Sequence, residues 1–292
     1  MRIDDKDWLD ADGNPIDEDH RGLVYDIRTL IDRRRALGIF GGVALTSLLA
    51  ACGVTSDVDA SATPTSSGAA SPTPTPSSSP AATGPLDEVP DETAGPYPAD
   101  GSNGVDVLDD SGIVRSDIRS SFGSSSTVAE GVPLTIALTV RDAVTGAALA
   151  GRGVYLWHCD RDGDYSLYSR GVEDENYLRG VQETDANGTV TFTSIYPACY
   201  SGRWPHIHFE VYEDVATAVA TGPIVKTSQI ALPAETNDAV YATSGYEQSV
   251  RNASQVSLSS DMVFSDDGGI HQLATMAGSA ASGYTASLTI GV

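Results

Sequence analysis

Basic residues are scarce in this chain: 17 lysines and arginines stand against 40 aspartates and glutamates, giving 292 residues a formal net charge of -23 at pH 7. Neutralising a nucleic-acid backbone needs clustered cations, so nucleic acid is not an expected partner, and the balance reads instead as an acidic surface that stays soluble outside the cell. Cysteine is scarcer still, at three residues. No long apolar pattern of helical period occurs in the second two thirds of the chain, which leaves a helical bundle without support. About two fifths of the residues are apolar, enough for one sizeable core and one folded domain.

The first part of the chain does not read as globular. Met1 to Asp32 is polar and charged, and Arg33-Arg34-Arg35 precedes the apolar run Ala36 to Ala51. That run is short for a bilayer-spanning helix, which needs about 20 residues, and suits a signal-peptide core. Paired arginines before such a core resemble a twin-arginine export signal. Leu49-Ala50-Ala51-Cys52-Gly53 resembles a bacterial lipobox, so residues 1-52 are expected to be a signal segment with Cys52 lipidated; an uncleaved anchor helix is the alternative. Residues 53-86, rich in Ser, Thr, Ala and Pro, read as an extended tether to the outer face of the cell membrane.

Residues 87-292 read differently. Segments with strand character at Leu134 to Val140, Gly153 to His158, Thr189 to Ile195, His206 to Tyr212 and Tyr284 to Ile290 are separated by turn signals such as Asp162-Gly163 and Asn187-Gly188. The expected architecture is all-β, an antiparallel β-sandwich.

The stretch His206-Ile-His208-Phe-Glu210-Val-Tyr212 alternates at every residue. A strand puts His206, His208, Glu210 and Tyr212 on one face and Ile207, Phe209 and Val211 on the core face. Two aligned imidazoles suit a metal ion, although histidines facing water on a half-buried strand fit the same pattern. Two strand ends running into loops carry further donors: Trp157-His-Cys-Asp-Arg-Asp-Gly-Asp-Tyr165 and Tyr196-Pro-Ala-Cys199-Tyr200. Loops on a rigid scaffold bring side chains to one point, which would let Tyr165 and Tyr200 join the histidines.

Taken together, Tyr155-Leu-Trp-His-Cys-Asp-x-Asp-Gly-x-Tyr165, Gly202-Arg203-x-Pro-His206-Ile-His208-Phe and Glu92-Thr-x-Gly-Pro96-Tyr97 resemble the intradiol ring-cleavage dioxygenases, the protocatechuate and catechol dioxygenase family. The resemblance implies a mononuclear Fe(III) held by Tyr165, Tyr200, His206 and His208. It implies a catechol or hydroxylated aromatic as substrate with O2, chelation that displaces Tyr200, and a muconate-type diacid as product. Hard phenolate oxygens favour ferric iron, and the mixed donor set disfavours a structural zinc site.

By the same resemblance Arg203 stabilises negative charge on the ring carbon; a surface ion pair is its other reading. Pro96 and Tyr97 line the substrate cleft or form an ordinary turn, and Pro98 departs from the second tyrosine often found there. The family's catalytic domains often associate, which leaves an oligomer open. A surface- or carbohydrate-binding sandwich without turnover, and a zinc or copper protein using the two histidines alone, are the rival functions. His158 is expected to be packed rather than a ligand, and Glu210 and Tyr212 to lie beside the site.

With Cys52 assigned to lipid, Cys159 and Cys199 remain. In an exported protein the pair reads first as a disulfide, contributing about 3 to 4 kcal/mol by closing a loop of about forty residues; two buried free thiols are the alternative.

Overall fold

Leu134, Ile136, Leu138 and Val140 alternate with more exposed residues along Pro133–Arg141, and that period-two pattern is the signature of β1, a strand with one face in a core. The computed structural model describes residues 84–292; the expected signal segment, the lipidation at Cys52 and the tether before residue 84 lie outside them. The strands that follow are β2 (Gly153–Trp157), β3 (Arg179–Glu183), β4 (Thr189–Ile195), β5 (His206–Tyr212), β6 (Ile224–Ala231), β7 (Thr275–Ser279) and β8 (Gly283–Gly291). Among the described residues three short helices are interspersed: α1 (Val215–Ala218), α2 (Ala234–Tyr241) and α3 (Glu247–Ala253).

The strands form two four-stranded sheets, ordered β4-β1-β8-β7 and β3-β2-β5-β6. Between them lies a core built from Leu134, Ile136, Leu138, Val190, Phe192 and Ile290 on one side and Val154, Leu156, Ile207, Phe209, Val211 and Ile230 on the other. The sandwich is therefore as expected, with one difference. β1 and β8 run parallel, Leu134 opposite Tyr284 through Arg141 opposite Gly291. No hairpin joins these strands, so nothing in their connection imposes opposite directions.

The two central strands of the second sheet are buried on both faces. Every residue of β2 and of β5 is buried, because residues 96–113, together with Tyr165, Ala198 and α1, cover the outer face and pack Ala99, Val107, Leu108 and Ile113 against Tyr155, Trp157, Val181 and Tyr212. This second, smaller core is where the alternation of β5 delivers its polar side chains. The two sheet pairings of β5, His208 with Trp157 on one side and with Gln229 on the other, fix which groups meet there.

Candidate metal centre

The structure brings the four expected donors together. His206 and His208 share the outer face of β5, with Nε2 atoms 3.0 Å apart and rings 4.7 Å apart. The Tyr200 hydroxyl lies 3.2 Å from His206 Nε2. The Tyr165 ring stands 6.0 Å from that of Tyr200 and 6.3 Å from that of His208, edge-on to both. Both histidines and Tyr165 are 2% exposed, so the reading of the histidines as water-facing is excluded.

Local chemistry aims each group. His206 Nδ1–H donates to the Trp204 carbonyl at 2.6 Å, which leaves Nε2 with its lone pair toward the centre. His208 lies flat against Trp157, ring centroids 4.9 Å apart and planes 6° from parallel, and its Nδ1 has no partner. Burial lowers the pKa of both imidazoles, assisted at His206 by the Arg203 charge and at His208 by His206. Both rings are therefore neutral, the form in which imidazole binds a metal.

Tyr165 is delivered by a tight turn. Asp160 Oδ1 accepts the N–H groups of Asp162 and Asp164, Oδ2 accepts the Tyr177 hydroxyl, and the Asp160 carbonyl accepts Ala198 N–H from the segment that leads to Tyr200. Gly163 has φ +98°, and a Cβ there would sit 3.3 Å from Tyr200 Cβ. Only glycine serves this crossing of the two tyrosine-bearing segments without strain.

The Tyr165 hydroxyl is buried with no hydrogen-bond partner of normal geometry, the Tyr200 hydroxyl being its polar neighbour. Burial, then Tyr200, drives its pKa well above that of a free phenol. An orphaned buried hydroxyl costs stability unless something meets it. A cation at the centre meets that need for Tyr165 Oη. The two Nε2 atoms stand at the separation that two nitrogens have when both bind one ion from about 2.1 Å. Among the described residues no three His, Cys, Asp or Glu side chains form a metal cluster, and the donors that stand nearest these histidines are the two tyrosines. Two phenols and two neutral imidazoles fit ferric iron.

Arg203 is not a surface residue. It is fully buried, with Nε 3.0 Å from Asp261 Oδ2 and an Nη2 hydrogen bond of 2.7 Å to Gln229 Oε1. Burial works against the Asp261 carboxylate, but Arg203 and the Trp204 N–H outweigh it and hold its pKa below the ordinary value. Gln229, beside His208 in the sheet, also donates to the Thr93 carbonyl at 2.9 Å, tying the Glu92–Tyr97 segment to the site. Neither Asp261 nor Gln229 stands out in the sequence: one sits in a Ser/Asp-rich stretch that reads as a solvent loop, the other in a strand without clear alternation.

Tyr97 packs on Tyr165, ring centroids 4.9 Å apart, and on Tyr168 at 5.2 Å. Pro96 is buried beside it, its carbonyl accepting from Asn103. His158 is packed away from the donors. Its Nδ1–H donates to the Cys159 carbonyl and its Nε2 accepts from Ser194 Oγ, each at 2.7 Å. Tyr212 donates to Glu210 at 2.7 Å on the buried face next to the histidines, and burial pushes the Glu210 carboxyl up to about 8.

The expected disulfide is absent. Cys159 and Cys199 are free, buried thiols. Their sulfurs are turned to backbone carbonyls, Cys159 Sγ to Ala198 at 3.7 Å and Cys199 Sγ to Arg203 at 3.4 Å. Sequence proximity to the tyrosine ligands places the two cysteines in one neighbourhood but does not set the sulfur directions that a bond requires.

Residues 119–221 match the family model described as Dioxygenase. This segment carries all four donors and Arg203. A chlorocatechol 1,2-dioxygenase of Rhodococcus opacus is 36% identical over 62 residues, 21% of this chain and 24% of that protein, so the chain spans about a quarter of the length of this curated relative. The crystal structure of a dioxygenase aligns at a TM-score of 0.51 and 26% identity, covering 62% of this chain and 87% of the other. An intradiol ring-cleavage dioxygenase from Tetranychus urticae covers the same shares at 26% identity, with a TM-score of 0.49. The matched segment carries two of the three sequence motifs, and the sandwich that holds it aligns with that of the dioxygenase at a TM-score of 0.51.

Proposed function

We propose that this chain, with the sandwich and the motifs of the intradiol ring-cleavage dioxygenases, is an enzyme that opens catechol-type aromatic rings between the two hydroxyl-bearing carbons. Both atoms of O2 enter the product, a muconate-type diacid. The observation that carries the reading is the convergence of Tyr165, Tyr200, His206 and His208 around one point, with the Tyr165 hydroxyl buried and unpartnered.

Tyr165, Tyr200, His206 and His208 would hold Fe(III). Bound there, the ion would supply a Lewis-acid centre for the two catechol oxygens and make the ring reactive toward O2. The remaining work falls to the chain itself. Tyr200 is the more exposed of the two tyrosines, and its Oη, a phenolate when iron is held, would take a proton from an incoming hydroxyl. Arg203, fixed by Asp261 and Gln229, presents a preorganised positive charge close to His206, where charge building on the ring is stabilised without reorganisation. The buried histidines and Tyr165 keep water from the reacting face.

The Leu49-Ala50-Ala51-Cys52-Gly53 stretch supports a lipid anchor on Cys52 at the outer face of the membrane. A Cys52→Ala variant released into the medium, against retention of the wild type, tests that location.

The activity is tested by incubating iron-loaded protein with catechol and O2. The reading expects one O2 consumed per diacid formed and loss of turnover in Tyr165→Phe. Full iron occupancy with no oxygen uptake on any catechol would leave a non-catalytic binding sandwich.

A further inference from the structure

Arg179, on β3, is 1% exposed, and among the described residues no carboxylate pairs with it. A cation buried without an anion depends on hydrogen bonds and on polarisable neighbours, and this one has both, its guanidinium carbon lying 5.5 Å from the centroid of the Tyr168 ring. Nη1 donates to the carbonyls of Tyr97 at 2.9 Å and Pro98 at 3.1 Å and touches the Tyr155 hydroxyl at 3.2 Å. Nε donates to Ser166 Oγ at 3.1 Å and Nη2 to the Ser166 carbonyl at 2.9 Å. Its acceptors thus belong to the two segments that meet above the centre, the Pro96–Ala99 strap and the turn that follows Tyr165.

Both segments need holding. Ala99 and Leu167, each next to a residue whose carbonyl Arg179 binds, are non-glycine residues at positive φ, 52° and 72°. Further ties on the strap are Ala99 N–H to the Tyr168 hydroxyl, Val107 N–H to the Ala99 carbonyl, Tyr155 hydroxyl to the Pro98 carbonyl, and Asn103 to the Pro96 carbonyl.

We propose that Arg179 is a positioning residue for the aromatic substrate, clamping the Pro96–Ala99 strap to the Tyr165–Ser166 turn so that the Tyr97 ring is fixed against Tyr165 at the mouth of the centre. It acts through Tyr97 and touches none of the four donors. Its guanidinium, planar and forked, spans three backbone carbonyls on the two segments at once, which a lysine ammonium cannot do.

The inference rests on the proposed function for what Tyr97 contacts, and not for the clamp itself, so two readouts are combined. The first is hydrogen exchange of the Ala99 and Val107 amides, which need no metal and which the strap's own hydrogen bonds protect. In Arg179→Met these two amides exchange at least about tenfold faster while those of β1 and β8 keep their rates. Arg179→Lys, which keeps the charge without the fork, gives an intermediate rate and serves in place of Arg179→Met if that variant does not fold. Unchanged exchange at Ala99 and Val107 in the folded variant overturns the clamp.

The second readout is the dissociation constant of 4-nitrocatechol, titrated optically on iron-loaded protein. Arg179→Met and Tyr97→Ala each weaken it by about tenfold or more, and the double variant binds no worse than the poorer single one, because one displacement underlies both. Additive losses overturn action through Tyr97. A wild type that binds iron but no nitrocatechol counts against the proposed function, and exchange then decides the clamp.

Discussion

The Arg203 guanidinium and the Asp261 carboxylate meet at 3.0 Å with neither side chain exposed to solvent. Removing one partner of such a pair strands the other charge in the interior. Asp261→Ala is therefore expected to lower the unfolding free energy by about 3 to 5 kcal/mol, read by chemical denaturation. Asp91→Ala, which breaks a contact of Lys226 to a largely exposed carboxylate, is expected to cost about 0 to 1 kcal/mol. Equal effects of the two substitutions would mean that the buried pair does not organise the Arg203 side of the centre.

Tyr165→Phe separates ligand from scaffold. The hydroxyl is buried without a partner, so in metal-free protein its removal is expected to raise stability by about 1 kcal/mol. Iron retention, measured after gel filtration against a weak chelator, is expected to fall steeply in the same variant. Lost stability with undiminished iron would reverse the assignment of this tyrosine.

Stability should also depend on pH in a direction set by Glu92. Burial first, and the Asp266 charge next, raise its carboxyl from 4.5 to about 8. The folded state thus holds a proton that the unfolded chain releases above about pH 4.5. The stability contributed by the protonated form is complete below that pH and is lost as pH rises toward 8. Thermal midpoints measured from pH 7 to 8.5, above the range in which unfolded His158, His206 and His208 take up protons that the buried imidazoles do not, are expected to fall, and Glu92→Gln to flatten the slope. Glu210, also raised to about 8, adds to the same trend in both proteins. A Glu92→Gln slope as steep as the wild type would contradict the assignment.

Thiol titration checks the correction to the cysteines. Denatured, unreduced protein is expected to yield two reactive thiols from Cys159 and Cys199, beyond any at Cys52. Folded protein is expected to react slowly, since both sulfurs are buried and burial raises both pKa values, that of Cys199 to about 12. Thiols that appear only after reduction would restore the bridge.

What could be read from the chain follows from where the pattern is local. The alternation of His206 to Tyr212 and of Thr189 to Ile195 places β5 and β4 at the observed bounds, because one face of each meets an apolar core. β3, β6 and β7 escape notice for opposite reasons: Arg179–Glu183 is short and begins on a charge, Ile224–Ala231 starts exposed and ends buried on both faces, and Thr275–Ser279 is largely exposed. The donors His206 and His208 are legible as a pair, and Tyr165 and Tyr200 through the family motifs. Their supports are not. Asp261 reaches Arg203 across 58 residues, and Arg179 reaches Tyr97 across 82; such pairings come from sheet order, which no short motif contains.

The most direct test of the central claim is a visible absorption spectrum of iron-loaded protein before and after anaerobic addition of catechol. The account predicts a burgundy tyrosinate-to-iron band that moves to longer wavelength with catechol and is lost or strongly altered in Tyr165→Phe. A protein that stays colourless after ferric reconstitution would contradict tyrosine ligation, and with it the assignment of this centre to ring cleavage.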